Sequence, residues 1–293
     1  MFSRLLLLIA VGSLSIGAGC QSMGGSRRTA EGQPVQPARS SFNLNPFASL
    51  ERSLIFAPSP ETAGDWTPTD FTFEDARFTS ADGTKLHGWY VPHPQPKAVV
   101  LFSHGNAGNV ALWATVLKNL NERCGVSVLG YDYRGYGRSK GTPSEAGILA
   151  DARAARAWLA KRSGVNEQQI VQMGRSLGGA VAVDLASTDG ARGLIVESSF
   201  TSLPDVASGM APWLPVRTVM QTKMNSLAKI KNYHGPLLQS HGSGDRLIPY
   251  EQGKKLFEAA NQPKQFVEIP GRDHNDPQTE EYYVALKEFF DRL

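Results

Sequence analysis

The chain has 293 residues, of which 41% are hydrophobic, and it carries 30 Lys and Arg against 27 Asp and Glu. This hydrophobic fraction excludes a disordered polymer, and the length fits one large α/β or β domain or two small ones. The whole formal charge of +3 lies in residues 1–52, which hold five Arg and two Glu, so the other 241 residues are neutral overall. A neutral domain lacks the concentrated positive field of a nucleic-acid-binding protein, so we expect no nucleic-acid partner.

Residues 1–20 have the pattern of a secretory signal. Arg4 precedes an apolar run from Leu5 to Ile9, and small residues follow up to Cys20. A membrane-spanning helix is the weaker interpretation, because residues 5–19 would rise only about 22 Å against a hydrocarbon core of about 30 Å.

The segment Ile16-Gly17-Ala18-Gly19-Cys20 resembles the lipobox of bacterial lipoproteins, in which the cysteine is lipidated and becomes the first mature residue. It departs from that motif at Gly17, where the family usually has Leu or another aliphatic residue. The resemblance implies export and a lipid anchor at Cys20 that holds the protein on a bacterial membrane, facing the periplasm or the cell exterior. The alternative is ordinary signal cleavage beside an incidental cysteine.

Residues 21–52 are rich in Gly, Ser, Gln, Pro and Arg and have no sustained period, which predicts a flexible tether. The folded domain is then expected over residues 53–293. Cys124 is the only cysteine of that domain, so we expect no internal disulfide. Because no His or acidic residue adjoins Cys124, a buried structural thiol is favoured over a nucleophile.

From about residue 70, strand-like and helix-like segments alternate. Strands are predicted over residues 71–78, 85–91, 98–102, 126–131, 170–173, 193–196, 237–239 and 265–269. Helices are predicted over residues 110–120, 142–164, 177–186, 250–260 and 279–290, the second of them opened by Thr142, Pro143 and a capping-box Glu145. This alternation predicts an α/β fold with a mostly parallel central sheet and helices on both faces.

Residues 199–235 interrupt the alternation after the sixth predicted strand. They contain three prolines among Met and Trp residues: Pro204, Pro212, Pro215, Met210, Trp213, Met220 and Met224. We expect a small cap insertion that lies over the sheet. Its Met and Trp side chains either line an acyl pocket or only cover the sheet.

Two segments have the pattern Gly-x-Ser-x-Gly, one around Ser139 and one around Ser176. Ser139 lies in a polar, glycine-rich loop, whereas Ser176 directly follows an apolar strand and directly precedes an apolar helix. The glycines beside Ser176 permit a sharp bend that presents the hydroxyl above the sheet edge, near the free N–H groups of the new helix. Ser176 is therefore the predicted nucleophile, and a packing turn with an inert serine is the structural alternative.

A serine nucleophile needs a base and a carboxylate that orients the base. Among the six histidines, His274 lies in a polar loop just after the last predicted strand, at the edge where ligands meet parallel sheets. Asp245, at the end of the preceding strand, is the predicted acid, and Asp132 is the alternative.

The developing oxyanion needs two N–H donors. The segment from His104 to Asn109 follows a predicted strand, so the backbone N–H of Asn106 can supply one donor and that of Leu177 the other. A plain strand-to-helix turn capped by Asn109 is the alternative. The histidine spacings lack metal-ligand patterns and no glycine-rich phosphate cradle is followed by Lys, so we expect no metal and no cofactor.

Four segments, in order along the chain, resemble the α/β-hydrolase superfamily: residues 104–108, residues 132–139, residues 174–179, and Asp245 with His274. The resemblance covers residues 70–293. It is closest to ABHD-type serine hydrolases, which include protein-depalmitoylating thioesterases, and more distant to prolyl-oligopeptidase-like peptidases. It implies Ser176 as nucleophile, Asp245 as acid and His274 as base.

One residue departs from the family pattern. Relatives commonly carry Gly where Asp273 precedes the histidine, so the extra carboxylate either acts on the base or faces solvent.

Together these residues predict a serine hydrolase that cleaves an ester or thioester of a small-molecule or acylated substrate through an acyl-enzyme intermediate. Two other functions stay open at this point. One is a serine peptidase of aminopeptidase type on the same fold, and the other is a non-catalytic binding protein that uses the fold as a scaffold.

Overall fold

The computed structural model describes residues 46–293, and the chain divides into two compact units, residues 1–54 and Ile55–Leu293. The predicted signal, Cys20 and most of the predicted tether lie outside the described residues. Helix α1 spans Pro46–Ile55, so the last part of the segment predicted as a tether is helical. Phe47, Leu50 and Leu54 recur at helical spacing, a signal that the Gly and Pro content of the preceding residues obscured.

The strands follow the predicted order. Their bounds are β1 (Ala57–Pro58), β2 (Glu74–Thr79), β3 (Lys85–Val91), β4 (Val99–Ser103), β5 (Ala107–Gly108), β6 (Ser127–Asp132), β7 (Ile170–Arg175), β8 (Gly193–Glu197), β9 (Leu237–Gly242) and β10 (Lys264–Ile269). Eight of them form one sheet in the order β10-β9-β8-β7-β4-β6-β3-β2, while β1 pairs with β5. Strand β3 runs antiparallel to both β2 and β6, and the other pairs are parallel, which confirms the mostly parallel sheet.

Helices cover both faces of this sheet. The longer ones are α2 (Ala114–Cys124), α3 (Glu145–Ser163), α4 (Leu177–Asp189), α8 (Tyr250–Ala259) and α9 (Glu280–Asp291). On strand β4, Leu101 belongs to the core under α3 and α4, whereas its neighbours Val100 and Phe102 belong to the core under α2 and α9. Alternate side chains are thus buried on opposite faces, the reason why this strand is a continuous apolar run. No helix within residues 46–293 is long and apolar enough to cross a membrane.

Helix α3 begins differently from the prediction. Its N-cap is Ser144, whose hydroxyl accepts from the amide of Gly147 at 3.2 Å, and not Thr142. The Glu145 carboxylate does not close a capping box, because it accepts from the amides of Lys223 at 2.6 Å and Met224 at 3.0 Å. The Glu145 carboxylate therefore holds the end of the insertion against the domain.

The insertion at residues 199–235 follows β8, the sixth strand of the main sheet along the chain. It holds three short helices, α5 (Leu203–Met210), α6 (Val216–Val219) and α7 (Ser226–Lys229). Met224 is buried in the same core cluster as Leu177, whereas Trp213 is 68% exposed. Its apolar residues therefore divide between covering the core and facing solvent.

Helix α4 lies unusually close to the sheet because two glycines remove side chains from the contact. A Cβ built on Gly178 would lie 1.9 Å from the carbonyl oxygen of Ser103, at the end of β4. A Cβ built on Gly174 would lie 2.0 Å from the carbonyl oxygen of Gly178. These contacts place the first turn of α4 directly against the carboxyl ends of β4 and β7.

We expect Gly178→Ala to lower the free energy of unfolding by about 3 kcal/mol or more, because its methyl group would overlap backbone that cannot move aside. Gly209, inside helix α5, provides the matched control, since no heavy atom lies within 4 Å of a Cβ built there. Gly209→Ala should be neutral or stabilising by up to about 1 kcal/mol, because Ala favours helix. Urea denaturation of both variants tests this, and equal stabilities would contradict the close packing of α4.

Candidate active site

Ser176 occupies the bend between β7 and α4 in a backbone conformation that most residues avoid. Its φ is 56° and its ψ is −119°. Its amide donates to the carbonyl of Glu197 at 2.8 Å, and its own carbonyl accepts from the amide of Gly179 at 3.0 Å and the Ser199 hydroxyl at 2.9 Å. Positive φ in a non-glycine residue persists only where its surroundings enforce it. These hydrogen bonds and the glycine contacts enforce it here.

Three predicted side chains form one hydrogen-bonded chain at this bend. The Nε2 atom of His274 lies 3.0 Å from the Ser176 hydroxyl oxygen, and its Nδ1 atom lies 2.7 Å from Oδ2 of Asp245. His274 and Asp245 are both buried. If Nδ1–H donates to the carboxylate, the lone pair of Nε2 faces the serine hydroxyl, the arrangement that proton transfer from a serine requires.

The carboxylate of Asp245 is held by a tight turn after β9. Its Oδ1 atom accepts from the amides of Leu247 at 2.9 Å and Ile248 at 2.8 Å. Burial alone would raise the pKa of Asp245, but hydrogen bonds from His241 and His274 hold that pKa well below its ordinary value. Asp245 is therefore ionised at neutral pH and can stabilise a positive charge on His274.

His241 is a second histidine at this carboxylate. Its Nε2 atom lies 3.3 Å from Oδ2 of Asp245 and 2.9 Å from the carbonyl oxygen of Ile248. A Cβ built on Gly253 would lie only 2.3 Å from the ring, so helix α8 packs closely against His241. His241 therefore contacts the predicted acid as well as the backbone of its turn.

Asp273 joins the loop of Asp245, the predicted acid, to the loop of His274, the predicted base. Its Oδ1 atom accepts from the amides of Arg246 at 2.9 Å and His274 at 2.8 Å, and its Oδ2 atom accepts from Nε of Arg246 at 2.7 Å. These amide and guanidinium donors lower the pKa of Asp273. Asp273 therefore neither touches the imidazole nor points free into solvent.

The loop after β4 lies directly beside the predicted nucleophile, Ser176. A Cβ built on Gly105 would lie 3.7 Å from the Cβ of Ser176. The Asn106 side chain is held by two backbone groups and one hydroxyl: it donates to the carbonyl of Ile55 and accepts from the amide of Ala57 at 3.2 Å and the Tyr136 hydroxyl at 3.0 Å. This fixes the backbone whose N–H is the predicted first oxyanion donor. The second, Leu177, opens helix α4, where the first amides have no partner within the helix.

Ser139 and Asp132, the alternatives for nucleophile and acid, form structural hydrogen bonds. The Ser139 hydroxyl donates to the carbonyl of Asp132 at 2.7 Å and accepts from the amide of His87 at 2.9 Å. Asp132 accepts from the amide of Val110 at 2.7 Å, and its nearest imidazole is that of His104, at 3.7 Å. Both residues thus bind loops to the sheet, and His274 takes Asp245 as its partner. No group of three or more His, Cys, Asp or Glu side chains within residues 46–293 is arranged to hold a metal ion.

Comparison with known proteins identifies the family. The model of the serine aminopeptidase S33 family matches residues 94–229. The chain is 39% identical over 240 residues to the uncharacterized protein Rv2307c of Mycobacterium tuberculosis, covering 81% of this chain and 85% of that one. It is 33% identical over 255 residues to the alpha/beta hydrolase domain-containing protein WAV2 of Arabidopsis thaliana, covering 78% and 83%. The chain belongs to the α/β-hydrolase family.

A solved structure shows the same fold. The Pyrococcus furiosus esterase Pf2001 superposes with a TM-score of 0.67 at 23% identity, covering 81% of this chain and 97% of that one. This similarity confirms the predicted architecture of the α/β hydrolase.

The sequence left three residues of this hydrolase's site unassigned: Arg175, His241 and Arg246. Each lies within four residues of a predicted site residue, since Arg175 adjoins Ser176 and both others are near Asp245. Proximity in sequence was the available signal. It could not distinguish a side chain that reaches the site from one that points away, because that depends on how the loops meet.

Proposed function

We propose that this hydrolase cleaves carboxylic esters or thioesters through an acyl-enzyme intermediate, with Ser176 as nucleophile, His274 as general base and Asp245 as the acid that orients the base. The observation that carries the proposal is the continuous hydrogen-bonded chain from the Ser176 hydroxyl through His274 to Asp245. Its serine lies on a strained bend at the start of a helix, where a hydroxyl is presented to substrate.

In the acylation half-reaction, the Ser176 hydroxyl gives its proton to Nε2 of His274 while its oxygen bonds to the acyl carbon. The resulting oxyanion would accept from the backbone N–H groups of Asn106 and Leu177, and Asp245 would stabilise the imidazolium. Collapse of the tetrahedral intermediate breaks the bond to the leaving alcohol or thiol, which takes the proton from His274. In the second half-reaction, water activated by the same imidazole releases the acid and restores Ser176.

The charge of the insertion favours an ester over a peptide with a free amino terminus. Asp205 is the only acidic residue within residues 199–235, and its carboxylate is already held by the Thr201 hydroxyl at 2.8 Å and by Arg217 at 3.1 Å. The same segment contains four basic residues: Arg217, Lys223, Lys229 and Lys231. A substrate ammonium group would meet a net formal charge of +3 and an acid that already has partners.

The second candidate function is that of an aminopeptidase. It is favoured by the description of the family model, serine aminopeptidase S33, over residues 94–229. It would need a carboxylate from outside the insertion to bind the substrate's amino terminus.

We expect Ser176→Ala to abolish labelling by a fluorophosphonate probe and to lower kcat on p-nitrophenyl esters by at least about 10³-fold, because the variant lacks the attacking oxygen. Ser139→Ala is the matched control from the other Gly-Arg-Ser segment. It should keep both labelling and turnover while losing about 1–3 kcal/mol of stability, because two buried hydrogen bonds are removed. Labelling that persists in Ser176→Ala and disappears in Ser139→Ala would reverse the assignment.

A substrate panel separates esterase from peptidase. We expect turnover of p-nitrophenyl esters of graded acyl length and of acyl thioesters, with little or none of amino-acyl p-nitroanilides, because the positive charge of the insertion disfavours a substrate ammonium group. All substrates report on the same wild-type enzyme, so the ratio of kcat/KM values is independent of enzyme concentration. Faster cleavage of the anilides than of every ester would establish the aminopeptidase instead.

We also propose that the hydrolase is exported and anchored to a bacterial membrane through lipid on Cys20, as the lipobox resemblance implies. Cys20→Ser should then move the protein from the membrane fraction to the soluble fraction. The variant lacks the cysteine that would carry the lipid, and stable anchoring needs two or more acyl chains. Cys124→Ser is the control: this thiol is buried in the core, so its replacement should not change the fractionation. A Cys20→Ser variant that stays with the membrane and keeps the wild-type mass would refute lipidation.

A further inference from the structure

Arg175, the variable residue of Gly-x-Ser-x-Gly, reaches from the nucleophile's strand to the loop of the base. Its Nη2 atom donates to the carbonyl oxygen of His274 at 2.7 Å and to that of Asp276 at 3.0 Å. Both acceptors belong to the backbone, so they depend on the path of the loop and not on the side chains at those positions. One guanidinium group thus holds both ends of the segment that presents the imidazole.

That segment is a turn with its own internal hydrogen bonds. The amide of Asp273 donates to the Asp276 carboxylate at 2.9 Å, and the amide of Asp276 donates to the carbonyl of Asp273 at 3.0 Å. The turn is tied to the acid's loop by the contact between Asp273 and Arg246. Arg175 provides the corresponding tie to β7, the strand that ends at the nucleophile.

The other side of the Arg175 side chain faces the oxyanion loop. Its Cζ atom lies 5.8 Å from the ring centroid of Trp113, and the same indole lies 3.4 Å from a Cβ built on Gly105. The guanidinium therefore lies between the loop of the base and the loop of the predicted oxyanion donor. Arg175 is also joined to Ser176 by one peptide bond. It therefore connects the predicted nucleophile, the loop of the base and the loop of the predicted oxyanion donor.

We propose that Arg175 is a positioning residue of this hydrolase: it sets the distance between Nε2 of His274 and the Ser176 hydroxyl by holding the backbone of the base's turn. The inference rests on the proposed function, because it assigns Arg175 a role in that reaction. The Arg175 guanidinium donates to backbone carbonyls of the turn and not to the side chains of Ser176, His274 or Asp245. Its removal should therefore act on turnover, because a displacement of about 1 Å can lower a rate by about 10²-fold.

The chain provides a matched control in its second Gly-Arg-Ser segment. Arg138 precedes Ser139 as Arg175 precedes Ser176, but its Nε atom pairs with Glu61 at 2.8 Å and its guanidinium lies 4.3 Å from the Trp66 ring. It has an ion pair and an aromatic contact of its own and none with the loop of the base. If the loss of any arginine after a glycine lowered activity in this fold, the Arg138 and Arg175 variants would both lose activity.

We would measure kcat and KM of Arg175→Met, Arg175→Lys, Arg138→Met and Ser176→Ala on the p-nitrophenyl ester that the wild type cleaves best. Arg175→Met should lower kcat by about 10- to 100-fold with KM within about threefold of wild type. Arg175→Lys should recover part of the loss, because an ammonium keeps donors but lacks the planar fork. Arg138→Met should leave both parameters close to wild type.

A rescue experiment distinguishes positioning from general stability. Low millimolar guanidinium chloride should raise kcat of Arg175→Ala, since the free cation can donate to the two vacated carbonyls, and should not raise that of Arg138→Ala. If Arg175→Met fails to fold, Arg175→Lys replaces it in the test. A lower kcat at nearly unchanged KM supports the positioning role, and a wild-type kcat contradicts it. Wild-type kcat in the folded Arg175 variants, beside an inactive Ser176→Ala, would overturn the positioning role alone. An active Ser176→Ala would overturn the proposed function itself.

Discussion

The close approach of helix α4 to the end of the sheet determines the geometry of everything else at the site. Gly178 allows the helix backbone to lie against the carbonyl oxygens of Ser103 and His104, and Gly174 allows β7 to turn beneath the helix. The short connection leaves Ser176 at φ 56°, a conformation that an isolated serine would seldom adopt. Helix α4 and the end of the sheet both hold Ser176 in this conformation, which keeps its hydroxyl out of the core.

This bend also determines where the other groups must come from. The hydroxyl stands above the carboxyl ends of parallel strands, so only loops that follow those strands can reach it. Asp245 follows β9 and His274 follows β10, and the contact between Asp273 and Arg246 joins the two loops. Each loop is held by side chains that bind its backbone amides or carbonyls. An imidazole on a free loop would need to be ordered at each turnover, whereas this one is ordered by folding.

The parts of the site that could be predicted from sequence are those specified by local pattern. The bend at Ser176 was predicted because an apolar strand, two glycines and an apolar helix must connect sharply, and the structure has that bend. His274 and Asp245 were predicted to lie near Ser176 because polar loops after buried strands end at one edge, and the three side chains do lie together. The roles of Glu145 and His241 could not be found in this way. Glu145 had the right spacing for a capping box, but the amides of Lys223 and Met224, nearly eighty residues away, bind its carboxylate.

The two Gly-Arg-Ser segments show that one motif can place a serine in two different hydrogen-bond environments. In one, the Ser139 hydroxyl already has a donor and an acceptor within the protein, so its proton is occupied and its oxygen is buried. In the other, the backbone groups of Ser176 are satisfied by Glu197, Ser199 and Gly179, which leaves the hydroxyl to His274 alone. The same contrast holds for the preceding arginines, because Arg138 pairs with a surface acid and Arg175 binds the turn of His274. The strand, helix and loops around each motif decide which hydrogen bonds the serine hydroxyl still has available. Those available hydrogen bonds determine what chemistry the serine can do.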